Sequence, residues 1–296
     1  MIVTCAALAA IFANPASAGT YTLSEDCRSD GRQHALVSTK AFLKQITVIA
    51  TGRTVAGIDF NGGGNVSWRG GTIEAPGGSG WNAPRSGPAY YGVRMVNGSR
   101  NVTFEDVTFT NARKAIAFGG SSGLLVQKSR CLGVVEDCLI AGAGSNVEFS
   151  HNVAGPFETK PTECVLPEGV VKGLSGKNCV AQGGTFRDGW HGDVVQLRHG
   201  ITNVRAAFNL IDTKGQGLTQ MDTKGDAPIS NVRFTNNKIR AGRHGLTLDR
   251  CDNCLIDGNT LETSMGHLKW RAVIIPGQAK ACGNIVPSGG VGREPC

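Results

Sequence analysis

The chain has 296 residues, of which only 6 % are aromatic and 18 % charged, with 42 glycines and a formal charge of +7. Glycine is costly inside a helix and asparagine competes with helical hydrogen bonds, so this composition excludes a helical bundle and suits short strands joined by tight turns. The positive balance favours an anionic partner such as an acidic polysaccharide, although the scattered basic residues serve simple solubility equally well and give no block for nucleic acid.

The first segment, MIVTCAALAAIFANPASAGT, is an apolar run ending in Ala16-Ser17-Ala18. It reads as a secretory signal cleaved after Ala18, although no Lys or Arg precedes Arg28. No later apolar run approaches the roughly 20 residues that span a bilayer. An exported protein, secreted or periplasmic, is therefore expected, monomeric and without membrane insertion. Loss of the leader removes Cys5 and leaves nine of the 10 cysteines. Their spacing suggests the pairs Cys131/Cys138, Cys164/Cys179, Cys251/Cys254 and Cys282/Cys296, with Cys27 left over, although sequence does not fix connectivity. CDNC at 251–254 is alternatively half of a zinc site, but no second Cys-x-x-Cys accompanies it.

After an N-terminal cap (19–60), residues 61–296 repeat. NVSWRGGTI (65–73), NVTFEDVTF (101–109), GLLVQKSRC (123–131), NVEFSHNVA (146–154), NVRAAFNLI (203–211), NVRFTNNKI (231–239) and NCLIDGNTL (253–261) share one template. Their starts lie 36, 22, 23, 57, 28 and 22 residues apart, a base period near 22 with insertions at 75–92 and 155–190. Each repeat holds two alternating apolar pairs separated by an Asn or Gly corner, hence two short strands and a bend. A third strand accompanies most repeats: GVRMV (92–96), AIAF (115–118), DVVQL (193–197), GLTQM (217–221), GLTLD (245–249) and AVIIP (272–276). Three strands in about 22 residues predict an all-β chain folded as a right-handed parallel β-helix, with side chains stacked about 4.8 Å apart from coil to coil. A β-propeller needs a period of about 40 residues, and the fixed leucine frame of leucine-rich repeats is missing.

This repeat block, together with CVAQGGTFRDGWHGDVVQL (179–197) and HGLTL (244–248), resembles secreted bacterial right-handed β-helix proteins of the pectate-lyase-like superfamily. The resemblance covers roughly residues 60–280. It is specific at Asp188, Gly189, His191, Asp193 and Gln196, which match a D-G-x-H-x-D-x-x-Q strand, and generic elsewhere. It implies the fold, and it implies activity on polysaccharides as lyase, hydrolase or epimerase without choosing among them.

Matching DVVQL, GLTQM and GLTLD makes these strands neighbours in one sheet. Alternation then points Val195, Leu197, Met221, Leu246 and Leu248 inward and Gln196, Arg198, Gln220, Asp222, Thr247 and Asp249 outward, with Leu218 at odds with Met221. The expected catalytic set is His191, Asp193, Arg198, Asp222, His244 and Asp249. Gln196, Gln220, Lys214, Lys224, Arg243, Arg250 and Arg271 are the expected substrate-binding residues. Such a groove suits an acidic polysaccharide. β-Elimination on a uronate needs a cation to neutralise the carboxylate (Arg198, Arg250 or Lys214), a base (His191 or His244) and an acid for the leaving oxygen. Asp222 and Asp249 could instead hold Ca²⁺, or act as a hydrolase pair about 5 Å apart, with Asp193 and Asp249 nearer 10 Å. Epimerisation and binding without turnover complete the alternatives.

Overall fold

The computed structural model describes residues 1–14, 18–79, 88–157, 163–172, 176–187, 192–220, 227–241, 244–263, 274–275 and 277–286. The chain winds as a right-handed parallel β-helix with three sheets along its length. One coil shows the logic. Arg100–Glu105 lies in the first sheet, Thr108–Thr110 in the second and Lys114–Gly119 in the third. Val102, Phe104, Phe109, Ile116 and Phe118 alternate into the core, while Asn101, Asp106 and Asn111 take positive φ at the corners.

The template is in register throughout. Arg100 pairs with both Gly64 and Ser122, Ser122 with Ser145, Ser145 with Thr202, Thr202 with Ser230, and Ser230 with Asp252. Asn65, Asn101, Gly123, Asn146, Asn203, Asn231 and Asn253 therefore form one corner column, every member with positive φ. The insertion at 155–190 carries a small antiparallel sheet of Glu163–Leu166, Gly169–Lys172 and Thr185–Arg187, with the helix Gly176–Ala181 and the Cys164–Cys179 disulfide.

A second column runs inside the wall between the first and second sheets. Asn152, Asn209, Asn237, Asn259 and Asn284 are all buried. Each accepts at Oδ1 from the backbone N–H of the residue one coil before it: Ser129 (2.8 Å), Asn152 (2.9 Å), Asn209 (3.0 Å), Asn237 (2.9 Å) and Asn259 (2.9 Å). Each also donates from Nδ2 to a carbonyl, as Asn237 does to Ala206 at 2.9 Å. Corners have no ladder partners of their own, so the amides satisfy groups that burial would otherwise orphan.

The N-terminal segment has a place in this stack. Ile2–Val3 pairs with Thr22 and Leu23, and the helix Cys5–Ala13 follows, with Thr4 Oγ1 accepting from the Ala7 N–H at 3.3 Å. Leu8 and Phe12 are buried, and the Phe12 ring lies 5.9 Å from Phe42 and 6.1 Å from Phe60. Cys5 is bonded to Cys27, which corrects the expectation that Cys27 is left over. Cys131–Cys138 and Cys251–Cys254 form as expected, the latter in place of a zinc half-site. Cys282 is also disulfide-bonded, and its expected partner Cys296 lies outside the described residues.

Two outcomes follow. Asn237→Ala strands the Asn209 N–H and the Ala206 carbonyl in the core, and is expected to cost several kcal/mol at about 1–3 kcal/mol per orphaned group. Asn236→Gly, at the adjacent positive-φ corner, should change stability little; denaturant melts of both variants check the contrast. Removal of residues 1–18, as cleavage after Ala18 would produce, uncovers Phe42 and Phe60 and unpairs Cys27. The truncated chain should melt well below the full chain in differential scanning calorimetry.

Candidate functional site

The expected site residues Asp193, Gln196 and Arg198 fall on the third sheet. Its strands include Ile58–Asn61, Tyr91–Val96, Lys114–Gly119, Asp137–Gly142, Asp193–Arg198, Gln216–Gln220 and Leu246–Leu248, stacked in that order. Register makes Asp59, Arg94, Ala117, Ile140, Gln196, Thr219 and Thr247 one outward column. Over its first coils lies a groove of about 700 Å³. Ala117, Ile140, Gly119 and Gly142 make a small, flat floor, and Tyr91, Arg94, Arg198 and His199 line its sides. Arg94 is fixed by a bidentate pair with Asp59 (2.9 and 2.6 Å). Behind them the buried His34 donates from Nε2 to the Tyr91 carbonyl at 3.0 Å, its pKa lowered by burial.

At the strand starts, register stacks Tyr91, Lys114, Asp137, Asp193 and Gln216. Lys114 is paired with Asp137 and lies 3.4 Å from Glu136. Glu136 is also held by Arg113 (Nε 2.6 Å) and by the Tyr90 hydroxyl. Burial pushes the Glu136 carboxyl up, but the hydrogen bonds from Arg113 and Tyr90 and the Lys114 charge reverse this and leave it below its ordinary value. Asp137 behaves oppositely. Burial first, then the neighbouring Asp193 carboxylate, push it up to about 6 despite Lys114. Asp193 is buried beside it and accepts from Gln196 Nε2 at 2.8 Å. Gln196 thus links this buried charge cluster to the groove column, and Tyr91 belongs to both.

Several expectations change. Asp193 pairs with Gln216, not Gly217, so the match between DVVQL and GLTQM slips by one residue. That slip inverts the facing of Gln220. It stacks between Leu197 and Leu248 inside the helix, where its Oε1 accepts from the N–H groups of Asp249 (2.6 Å) and Arg250 (3.0 Å). Gln220 is a bracket for that turn rather than a substrate ligand. The outward neighbour of Gln196 is Thr219, and Leu218 points inward. Asp249 and Arg250 sit on an exposed turn after Leu246–Leu248, and Lys214 on the exposed turn before Gln216–Gln220. His244 lies two coils beyond the strand Asp193–Arg198, about 10 Å away along the stack. Gln196 and Arg198 face outward as expected.

His191, Asp222, Lys224, Arg243 and Arg271 lie outside the described residues, as does the Asp222/Asp249 pairing on which calcium or hydrolysis rested. Among the described residues no cluster of three or more His, Cys, Asp or Glu is arranged to hold a metal. Sequence reasoning reads Tyr91 only as a residue of the 75–92 insertion able to stack on a sugar, and it missed Arg94, Lys114, Glu136, Asp137 and the groove position of His199. One signal was available: DCLIAG (137–142) aligns with DVVQLR (193–198), aspartate to aspartate.

Asp137 gives a pH signature. A carboxyl raised in the folded state is ionised first in the unfolded chain, so its contribution to stability is full below about pH 3.8 and is lost as pH rises towards about 6. The stability of the wild type minus that of Asp137→Asn should therefore fall between pH 4 and 6.5, by the order of a few kcal/mol. Urea titrations at stepped pH measure it, and a constant difference would contradict the assignment.

No family model matches the chain, and no curated protein sequence matches it. Among solved structures, the Dettilon tailspike protein is similar in fold, with a TM-score of 0.50 at 10 % sequence identity. The alignment covers 96 % of this chain and 52 % of the tailspike, so the chain spans about half the length of that protein. No helix among the described residues is long and apolar enough to cross a membrane.

Proposed function

We propose that the chain is an exported carbohydrate-active protein that holds an acidic polysaccharide along the outer groove of the third sheet and cleaves it by β-elimination. The observation that supports this most is the groove itself, a flat apolar floor two coils wide, with Tyr91 and Arg94 at one end and Arg198 and His199 at the other. Sugar rings lie flat on such a floor, and hydroxyl and carboxylate groups find donors at its sides. The formal charge of +7 draws a polyanion towards it.

In this reading Arg198 neutralises the uronate carboxylate and so acidifies the adjacent C5 proton. His199 takes that proton in place of His244, which is too far along the stack; His191 keeps its expected role as an alternative base. The leaving oxygen takes its proton from water, because Tyr91 lies three coils, about 14 Å, from the strand that carries Arg198. Arg94, locked to Asp59 and likewise three coils from Arg198, holds a sugar further along the polymer. One observation favours a second reading, hydrolysis: Asp137 and Asp193 are register partners on adjacent strands, and Asp137, pushed up to about 6, suits a general acid with Asp193 as the second carboxyl.

Incubation with alginate, pectate, glucuronan and hyaluronan separates these. Elimination raises both reducing ends and the ultraviolet absorbance of an unsaturated uronate. Arg198→Ala should then lower kcat/KM roughly 100-fold with an unchanged melting temperature. Reducing ends without absorbance, abolished in Asp193→Asn, would replace elimination by hydrolysis. Retention on these polymers with neither product would reduce the protein to a binding module.

A further inference from the structure

A second surface, on the first sheet, has no part in the groove described above. The residues before the buried asparagines form a left-handed corner column: His151, Phe208, Asn236, Gly258 and Gly283, with φ of 57, 57, 54, 66 and 60°. Asn and Gly suit that conformation; a bulky aromatic does not. Phe208 nevertheless occupies it with its side chain outward, 45 % exposed, contributing nothing to the core. Its ring stacks on His151 at 4.9 Å and 10°, and the Arg205 guanidinium lies 5.9 Å from its centroid. Strain retained at an exposed, non-packing position points to a function for the ring.

Arg205 also lines a cleft of about 410 Å³ on the outer face of the first sheet. There it pairs with Glu148 at 3.0 Å. Along the cleft run the amides of Asn101, Asn146 and Asn203, the last donating to Asn146 at 3.1 Å. Asn101, separated from Asn146 by Gly123 in this column, donates instead to Asn65 at 2.9 Å, and each of the three amides keeps at least one N–H and one lone pair for a ligand.

We propose that this cleft, with the Phe208/His151 platform at its edge, is a second, non-catalytic saccharide-binding face. A sugar ring would stack its C–H face on Phe208 while Arg205, Glu148 and the amide column take its hydroxyls. The proposal does not rest on the reading of the third-sheet groove. Exposed Val153 and Leu210 extend the platform on the second sheet, so a second copy of the chain is the rival occupant.

Phe208→Asn tests it, because Asn fits the left-handed corner and should leave the melting temperature equal or higher. Native affinity electrophoresis would be run in gels containing polygalacturonate, alginate, hyaluronan or neutral dextran. The expected result is retardation of the wild type in at least one gel, with an apparent Kd about fivefold weaker in Phe208→Asn. Equal retardation of both proteins, or none of the wild type in any gel, overturns the proposal. So does a dimer that Phe208→Asn dissociates, seen by analytical ultracentrifugation, without a change in retardation. A wild type that is retarded through Phe208 yet forms no product would refute only the groove's catalytic role.

Discussion

Everything in this molecule depends on parallel stacking at a fixed spacing of about 4.8 Å, maintained coil after coil. A parallel ladder satisfies backbone groups within the sheets, but each coil must also turn corners. Left-handed residues make the turn, and the asparagine column returns hydrogen bonds to the groups the turn exposes. Because register is continuous, a residue type repeated at one template position becomes a column on the surface or in the core. Length can be added only at corners, and the 155–190 insertion enters there, immediately ahead of the strand that carries Asp193, Gln196 and Arg198.

The same stacking concentrates charge. Residues at the start of the third sheet's strands are buried on both sides, so polar groups there interact at short range in a medium that screens weakly. Lys114 between Glu136 and Asp137 offsets part of that cost, while the in-register Asp193 carboxylate adds to the upward push of burial on Asp137. The result is two carboxyls on adjacent residues, Glu136 and Asp137, displaced in opposite directions. Such a divergence is how one environment holds an acid and an anion at the same pH. Gln196 and Tyr91 carry that asymmetry to the groove.

Much of the fold was legible because its determinants are local and repeated. The Asn–apolar template aligned the corner column correctly over all seven repeats, insertions included. The third sheet was harder. Its strands are bounded by glycines without a recurrent corner asparagine, and GLTQM can be read in two registers that differ by one residue. That one residue decides whether Gln220 is a ligand or a core bracket, and only the tertiary pairing of Asp193 with Gln216 settles it. The N-terminal run was ambiguous for a different reason. An apolar helix that covers an open β-helix end has the composition of a leader, and the Cys5–Cys27 bond is invisible until the two are neighbours.

Repetition also explains why site residues were the least legible part. In a solenoid, a polar outward residue is the default, so His, Asp or Arg in a repeat says little by itself. Information lies in departures from the column to which a residue belongs. Arg94 stands in a column with Ala117 and Ile140, Arg198 follows two glycines, and Phe208 occupies a corner that Asn236, Gly258 and Gly283 fill in the later coils. Each is physically unfavourable, or at least unnecessary, for stacking. Gln220 departs too, but its two backbone hydrogen bonds supply a structural reason. A departure whose bonds close on the backbone belongs to the fold, and one whose side chain lines a cleft is where a ligand should be sought.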